Sequence, residues 1–207
     1  MNRTILTLLM MAVIPWPEAA AQFYTAGKTA ERKTEDGQRG EETASIDLQA
    51  VADSLAREFG LISLPLNRIH VTSPYGMRKD PITGRRSMHS GLDLRARHEA
   101  VYAMMEGKVV ATGYDRRSGI YVRLSHGTYS VSYCHLSRVL VAEGDSVQAG
   151  QPVAITGNSG RSTAEHLHVT CRRNGKTEDP MTLIGEIARR RRNLLEEAER
   201  IAGIHDR

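Results

Sequence analysis

The residues best suited to chemistry in this 207-residue chain are histidines and an aspartate that fall in three short motifs. In chain order the motifs are His89-Ser90-Gly91-Leu92-Asp93, Tyr133-Cys134-His135-Leu136 and His166-Leu167-His168. Strand residues two apart face the same way, so His166 and His168 can point at one spot, whereas on a helix they would diverge by roughly 200°. Val169 and Thr170, which follow the pair, favour a strand.

The first motif can supply a second pair of ligands. By the same alternation His89, Gly91 and Asp93 share one face of a strand, and Gly91 leaves the space between its neighbours open. Four histidines and one carboxylate can therefore converge. Imidazole nitrogens with a carboxylate oxygen suit tetrahedral Zn²⁺, so we expect one Zn²⁺ per chain.

The five candidates exceed the needs of a catalytic zinc, which usually has three protein ligands and one place for water. Strand geometry makes His89 and Asp93 a natural pair, and leaves open which residue of the His166/His168 pair is the third ligand. Such a site lowers the pKa of a bound water towards ~7. The histidines that do not bind metal are candidate general bases or transition-state donors, because imidazole titrates near neutral pH.

Neighbouring polar residues are expected to take no part in this chemistry. Glu165 in a strand would point opposite His166, which argues against it as a base. Cys134 and Cys171 each lie one residue out of phase with a site histidine, so both should face away from the metal, as buried thiols or a disulfide. Other histidines are expected to be ordinary surface residues: His70, His98, His126 and His205.

The elements that must position these residues are mostly strands. From Ile69 to Arg172 short β-rich runs alternate with Gly-containing turns, which favours an antiparallel β domain. Helical spacing predicts an amphipathic helix over 46–59, which could pack on the domain, bind a partner or cover the site. Asp179-Pro180 opens a longer helix, with Asp179 as its N-cap. Arg189–Arg192 within it are typical of a solvated stretch or of a contact with an anionic surface.

The N-terminus predicts export. An apolar run from Ile5 to Ile14 and the small residues Ala19-Ala20-Ala21 are typical of a signal peptide cleaved before Gln22, with an uncleaved anchor as the alternative. We expect a periplasmic protein rather than a fully secreted one, since no wall-binding module is appended. Residues 22–45 are rich in Lys, Glu, Thr and Gly, as in a flexible linker.

The composition suggests which surroundings and partners the protein has. The formal net charge of +4 mildly favours anionic surroundings, such as cell-wall polymers or lipid headgroups. No helix-turn-helix, Cys/His finger or aromatic-basic signature is visible, so no nucleic-acid partner is expected. Protein partners are not specified by the sequence.

The ordered motifs resemble those of the lysostaphin/LytM-type zinc metallopeptidases, which cleave peptide bonds in peptidoglycan. The resemblance covers about Pro65 to Met181. It is carried by Ser73-Pro74-Tyr75-Gly76-Met77-Arg78, His89–Asp93, Gly107-Lys108-Val109-Val110, Tyr133–Ser137, Gly157–Gly160, His166–His168 and Asp179-Pro180.

The resemblance implies a compact, mainly β peptidase domain, with an antiparallel sheet and a substrate groove, flanked here by a short N-terminal and a longer C-terminal helix. It implies that His89, Asp93 and His168 bind zinc, while His135 and His166 polarise water and stabilise the oxyanion intermediate. The expected organisation is a signal peptide (1–21), a linker (22–45), an N-terminal helix (46–64), the peptidase domain (65–181) and a helical extension (182–207).

The function implied is a zinc metalloendopeptidase that hydrolyses cross-link or stem peptides of peptidoglycan in the cell envelope. The chain has Ala164-Glu165 where the family often has Gly-Pro, and Val169-Thr170 where Phe-Glu often follows; neither change removes a site residue. One alternative is a non-hydrolytic envelope-binding or activator module of a larger assembly, suggested by the flanking helices. Another is a peptidase for proteins or Gly-rich peptides.

Overall fold

A computed structural model describes residues 48–202, in which strands fill the chain between two helices. The predicted signal peptide (1–21) and linker (22–45) lie outside the described residues. The helices are α1 (Leu48–Gly60) and α2 (Pro180–Ile201). The strands are β1 (Val71–Ser73), β2 (Gly76–Lys79), β3 (Arg86–His89), β4 (Leu92–Arg95), β5 (Ala100–Tyr102), β6 (Gly107–Asp115), β7 (Gly119–His126), β8 (Tyr129–Val139), β9 (Ser146–Val147), β10 (Pro152–Thr156), β11 (His166–Arg173) and β12 (Lys176–Glu178).

One large antiparallel sheet forms the body of the domain. Its main path runs β1-β4-β11-β8-β7-β6-β9, with β10 pairing β5 and β8, and β12 pairing β11. Strands β2 and β3 form a separate two-stranded sheet. The mainly β, antiparallel architecture with flanking helices, predicted from the alternation of strands and turns, is confirmed.

Alternation along β11 divides the sheet into a core face and a site face. Leu167, Val169 and Cys171 are fully buried, while His166 and His168, which alternate with them, lie on the other face. Helix α2 adds Leu183 and Ile184 to the same hydrophobic cluster. Each such side chain contributes about 1.5–3 kcal/mol when fully buried, so the core face fixes the register that aims the histidines outward.

Helix α1 packs against α2 through the arginine run of α2. The Arg191 guanidinium carbon lies 3.8 Å from the Phe59 ring centroid, and its Nη1 donates to the Ile62 carbonyl over 2.7 Å. Arg190 forms an ion pair with Glu58. Burial lowers the pKa of Arg191. The run is therefore not a purely solvated stretch, because two of its arginines hold the N-terminal helix in place.

Neither helix in the part of the chain that the structure describes combines the length and apolar character needed to cross a lipid bilayer.

Candidate active site

The site is built where β4, β11 and β8 lie side by side. His168 on β11 is the register partner of Asp93 on β4 and of Cys134 on β8. His166 lies two residues earlier on β11 and shares the face of His168. The predicted convergence of this His-x-His pair follows from that strand.

His89 reaches the site from a different sheet. It ends β3 of the two-stranded sheet, whereas Asp93 belongs to β4 of the large sheet, so the two do not share one strand face as predicted. The chain changes direction between them at Gly91. A Cβ at Gly91 would lie 2.5 Å from the His168 ring and 2.6 Å from the Val169 carbonyl oxygen. Gly91 is thus required for close approach, although the geometry differs from a continuous strand.

Three donor atoms form a triangle that fits a metal ion. His89 Nε2 lies 3.2 Å from His168 Nδ1 and 3.3 Å from Asp93 Oδ1, and His168 Nδ1 lies 2.7 Å from the same oxygen. Ligands at about 2.0–2.2 Å in a tetrahedron are about 3.3–3.6 Å apart. The two separations that involve His89 match this spacing, and the 2.7 Å contact is a hydrogen bond that a bound ion would replace, so His89, Asp93 and His168 could hold one Zn²⁺.

The remaining two histidines lie against this triangle. His166 Nε2 is 3.4 Å from Asp93 Oδ1, and the His135 and His166 ring centroids are 4.8 Å apart. Ring nitrogens of His135, His166 and His168 also fall within 4.8 Å of one another. The structure therefore brings all five sequence-predicted site residues together, with His168 common to both groups.

Backbone carbonyls orient three of the four imidazole rings. The Nδ1–H groups donate to main-chain oxygens: His89 to Pro74 over 2.8 Å, His135 to Ser159 over 2.8 Å and His166 to Ala164 over 2.7 Å. In each neutral ring the Nε2 lone pair is then free to face the site. His89 can bind metal through that nitrogen, and His135 and His166 can exchange protons through theirs.

A bulge in β8 places His135 in the site. The β7–β8 register shifts between Ile120 and Val122, and His135 has a φ of 60°, in the left-handed region. The extra residue breaks strand alternation, so Cys134 and His135 both line the groove. The expectation that Cys134 faces away from the site is wrong for this reason. Cys134 and Cys171 are buried free thiols rather than a disulfide.

Electrostatics distinguish the site groups. Burial alone would raise the pKa of Asp93, but hydrogen bonds from His166, His168 and His89 outweigh it and hold that pKa far below its usual range. Burial lowers the pKa of His135 to about 4. Burial opposes protonation of His166 too, yet its bond to Asp93 prevails and raises its pKa. Burial therefore favours the neutral form of His135, and likewise lowers the pKa of His168, whereas the bond to Asp93 favours the protonated form of His166.

Arg78 contacts the site, although no role was predicted for it. Its Nη2 lies 3.5 Å from Asp93 Oδ2, the oxygen that does not face the histidine nitrogens. This contact helps leave Asp93 Oδ1 directed at the metal position. One feature of the sequence could have indicated a role for Arg78, because this residue ends the first stretch of the family resemblance. Spacing alone could not show which carboxylate it contacts.

Glu165 takes no part in the site, as predicted, whereas His126 is not the surface residue that was predicted. Glu165 accepts a hydrogen bond from the backbone N–H of His98, so its carboxylate is held by a loop rather than aimed at the site. His126, expected at the surface, is buried, and its Nδ1 donates to the Glu106 carbonyl over 2.8 Å. Burial lowers the pKa of His126, as in a neutral core residue.

The site opens into a groove of about 330 Å³. One wall is the β2–β3 turn, with Pro81 and Ile82, and the other is the loop that carries Arg161. Arg161 Nη2 lies 2.8 Å from both carboxylate oxygens of Asp80 and so joins the two walls. Residues of α1 are not among those that line the groove. The described N-terminal helix thus does not cover the site.

Fold and site together define a metallopeptidase of a known family. The family model described as "Peptidase family M23" matches residues 87–180, a span that contains all five converging residues. The catalytic domain of lysostaphin from Staphylococcus simulans is 32% identical, and the match covers 57% of this chain and 94% of that domain with a TM-score of 0.52. The chain belongs to peptidase family M23.

Other relatives are similar over the same region. A zinc-containing peptidase from Vibrio cholerae is 31% identical over 59% of this chain and 39% of its own, with a TM-score of 0.55. The peptidoglycan DD-endopeptidase ShyA of Vibrio cholerae is 37% identical over 119 residues, which are 56% of this chain and 27% of that protein. The chain thus spans about a quarter of the length of the curated relatives it matches.

Proposed function

We propose that this chain is a zinc metalloendopeptidase that hydrolyses cross-link or stem peptides of peptidoglycan in the cell envelope. The observation that carries the proposal is the convergence of His89, Asp93 and His168 with His135 and His166 in one open groove. Membership of family M23 supports peptide hydrolysis. The names of relatives such as ShyA and ShyB, both peptidoglycan DD-endopeptidases, support the substrate.

Each of the five site residues has a role that follows from its position. His89, Asp93 and His168 would hold the zinc ion, which would supply Lewis acidity to polarise a carbonyl and to lower the pKa of water. His135, its Nδ1–H fixed on the Ser159 carbonyl, presents Nε2 to take the proton of the attacking water. His166, fixed on the Ala164 carbonyl through Nδ1–H, can in its protonated form also donate from Nε2–H and so stabilise negative charge on the carbonyl oxygen.

Digestion of sacculi tests the activity. The chain from residue 22 onward, loaded with zinc, is incubated with purified sacculi, and the soluble products are identified by mass spectrometry. We expect new amino and carboxyl termini within the peptides, and no products from the His135→Ala or His166→Ala variants. Glycan cleavage alone, or undiminished products from these variants, would contradict the proposal.

The same variants test the alternative role as an activator module. A deletion strain is complemented with wild-type or His135→Ala protein at equal levels in the envelope. Loss of complementation is expected if hydrolysis is the function. Full complementation by His135→Ala would favour the non-hydrolytic role.

Gly-rich peptides and folded proteins, offered beside sacculi, should be cleaved much more slowly.

We further propose that the chain is exported to the periplasm after cleavage before Gln22. The apolar run and the small residues of positions 19–21 support this. The test is expression of the full chain with a C-terminal tag, followed by cell fractionation and intact-mass measurement. A cytoplasmic protein that retains Met1 would overturn the proposal, and a membrane-held, uncleaved form would indicate an anchor.

A further inference from the structure

The groove contains an arginine, Arg123, whose guanidinium forms no ion pair with a carboxylate of residues 48–202. Its lining includes the arginines Arg78, Arg117, Arg123 and Arg161. Arg78 faces Asp93 and Arg161 faces Asp80. Arg117 forms no ion pair within the described residues; the pKa of the nearby Asp115 carboxyl is lowered chiefly by the Ser118 backbone N–H, with the Arg117 charge as the smallest cause.

Among these four arginines, Arg123 is the one whose guanidinium is held by a buried neutral hydroxyl. Its Nε donates to the Ser132 hydroxyl over 3.1 Å, and no carboxylate oxygen of residues 48–202 lies within ion-pair distance of its guanidinium. The side chain is exposed into the groove, although Ser132 beneath it is buried. The Arg123 Nε is thus anchored on the neutral Ser132 hydroxyl, while the two terminal nitrogens of the guanidinium remain available for a planar anion.

The register fixes the position of Arg123 relative to the site. Arg123 on β7 pairs with Ser132 on β8, which pairs with Thr170 on β11, two residues beyond His168. It therefore lies on the site face, about 7 Å along the strands and ~10 Å across them from His168. An extended peptide advances ~3.3 Å per residue. The Arg123 guanidinium can therefore reach a substrate group one to three residues from the scissile bond.

We infer that Arg123 is a specificity-determining residue that binds a carboxylate of the substrate peptide near the scissile bond. The inference rests on the proposed peptidase function and narrows its substrates to peptides with a free carboxylate on the Arg123 side of the groove. The carboxylate accepts hydrogen bonds from the terminal nitrogens, and the Ser132 anchor limits the rotamer entropy lost on binding. The carboxylate is either a side-chain acid or the α-carboxylate of a chain end.

A binding experiment with matched peptides tests the inference. A synthetic cross-linked stem-peptide dimer is made in three forms: fully amidated, with only its side-chain carboxylate free, and with only its terminal α-carboxylate free. Each form carries the same fluorophore. Affinities are measured by anisotropy on the zinc-loaded chain, in which His135→Ala prevents turnover, with and without Arg123→Gln.

One free-acid form should bind roughly ten- to a hundredfold more tightly than the amidated form, and Arg123→Gln should abolish this preference. The form that binds tightly identifies the source of the carboxylate. Arg123→Lys should restore only part of the preference, because an ammonium lacks the planar fork. Arg138→Gln, an exposed arginine of β8 outside the groove with the same change of charge, is the matched control and should retain the preference.

Equal affinities for the three forms would overturn the inference, as would a preference that survives Arg123→Gln. Turnover of the same peptides by the protein with His135 intact separates this inference from the proposed function. Cleavage without carboxylate preference leaves the function and refutes the role of Arg123. Carboxylate preference without cleavage refutes the function and supports Arg123 as a binding residue. In the active protein, Arg123→Gln should raise KM for the acidic peptide and leave kcat nearly unchanged.

Discussion

His168 is the residue on which both halves of the site depend. Its Nδ1 lies 2.7 Å from Asp93 Oδ1 and 3.2 Å from His89 Nε2, and its ring centroid is 5.5 Å from that of His135. Asp93 in turn contacts His166 and Arg78. Each group is therefore oriented by the next, and removing a metal ligand should have a different signature from removing a proton carrier.

Zinc content distinguishes these two kinds of residue. We expect His168→Ala to lose both bound zinc and hydrolysis, because it removes one corner of the ligand triangle. His135→Ala should retain stoichiometric zinc and lose at least about a hundredfold in kcat, the usual contribution of a general base. Metal analysis after gel filtration, with turnover of sacculi or peptides, measures both. Full zinc occupancy in His168→Ala would contradict the ligand assignment.

Gly91→Ala tests the close approach of backbone to the His168 ring. A Cβ there would lie 2.5 Å from the ring and 2.6 Å from a carbonyl oxygen, so we expect a loss of about 1–3 kcal/mol in free energy of unfolding, with weaker zinc binding. Gly185→Ala in α2 is the control, since its Cβ would have nothing within 4 Å and alanine favours a helix by ~1 kcal/mol. Urea unfolding of the zinc-loaded proteins gives both numbers; equal stability of Gly91→Ala and wild type would refute the crowding.

At the scale of elements, the site depends on two irregularities. The β8 bulge turns His135 into the groove, and the change of sheet after His89 lets that residue meet Asp93. The Asp80–Arg161 ion pair then holds the two walls of the groove together. These features lie outside regular strand geometry, and each fixes the position of one side of the site.

The Asp80–Arg161 pair makes part of the stability depend on pH. The pKa of Asp80 is held well below its usual range, chiefly by Arg161 and then by the Thr83 backbone N–H. A depressed folded-state pKa stabilises the protein above the unfolded value of ~3.9, and this contribution is lost as pH falls below it towards the folded pKa.

Asp80→Asn removes the charge while its amide oxygen can still accept the Thr83 and Ile82 backbone N–H groups. We therefore expect a lower urea midpoint than wild type at pH 5–7, and a difference that shrinks below pH ~4. Arg161→Gln should behave alike, and the double variant should add little. A difference that is constant from pH 7 to pH 2 would contradict the assignment.

The contact between α1 and α2 should be separable from catalysis. Arg191→Ala removes the stacking on Phe59 and the bond to the Ile62 carbonyl, so we expect about 1–2 kcal/mol of destabilisation and faster hydrogen exchange in α1. Turnover per folded molecule should stay unchanged, because α1 does not line the groove. Arg192→Ala, an exposed neighbour, is the control. Increased turnover in Arg191→Ala would revive the idea that α1 restrains the site.

The regular strands of this structure could be predicted from the sequence, whereas its irregular features could not. Period-two alternation placed His166 and His168 on one face, since β11 is a regular strand packed on one side. The same rule failed for Cys134 and for the pairing of His89 with Asp93, because a bulge and a change of sheet depend on tertiary pairing. The partners of Arg190 and Arg191 were equally invisible, since contacts between α1 and α2 are distant in sequence.

At the scale of the whole molecule, the metal site joins two sheets. His89 belongs to the β2–β3 sheet, while Asp93 and His168 belong to the large sheet. A zinc ion bound by all three therefore crosslinks the two sheets, and its binding free energy is linked to folding.

Chelation measures this linkage. With zinc at about 100 times its dissociation constant, the folded state gains about 2.7 kcal/mol, which raises the unfolding midpoint of a domain of this size by roughly 5–10 °C. Removing zinc with a chelator should lower the midpoint by that amount, and re-addition should restore it. The shift should vanish in His168→Ala. Calorimetry checks both, and a midpoint that does not respond to zinc in the wild-type chain would contradict a site between the sheets.

The carbonyl partners of the imidazole rings have a consequence for how this chain can diverge. Pro74, Ser159 and Ala164 fix three histidines through main-chain oxygens, which every amino acid carries. The tautomers of the rings therefore do not depend on the chemical type of these side chains, although the Ser159 hydroxyl holds its own loop by bonds to Ile120 and Leu136. Ala164 stands where the family often has Gly, and homologues of this chain should tolerate varied residues at position 164 as long as the path of the loop is preserved.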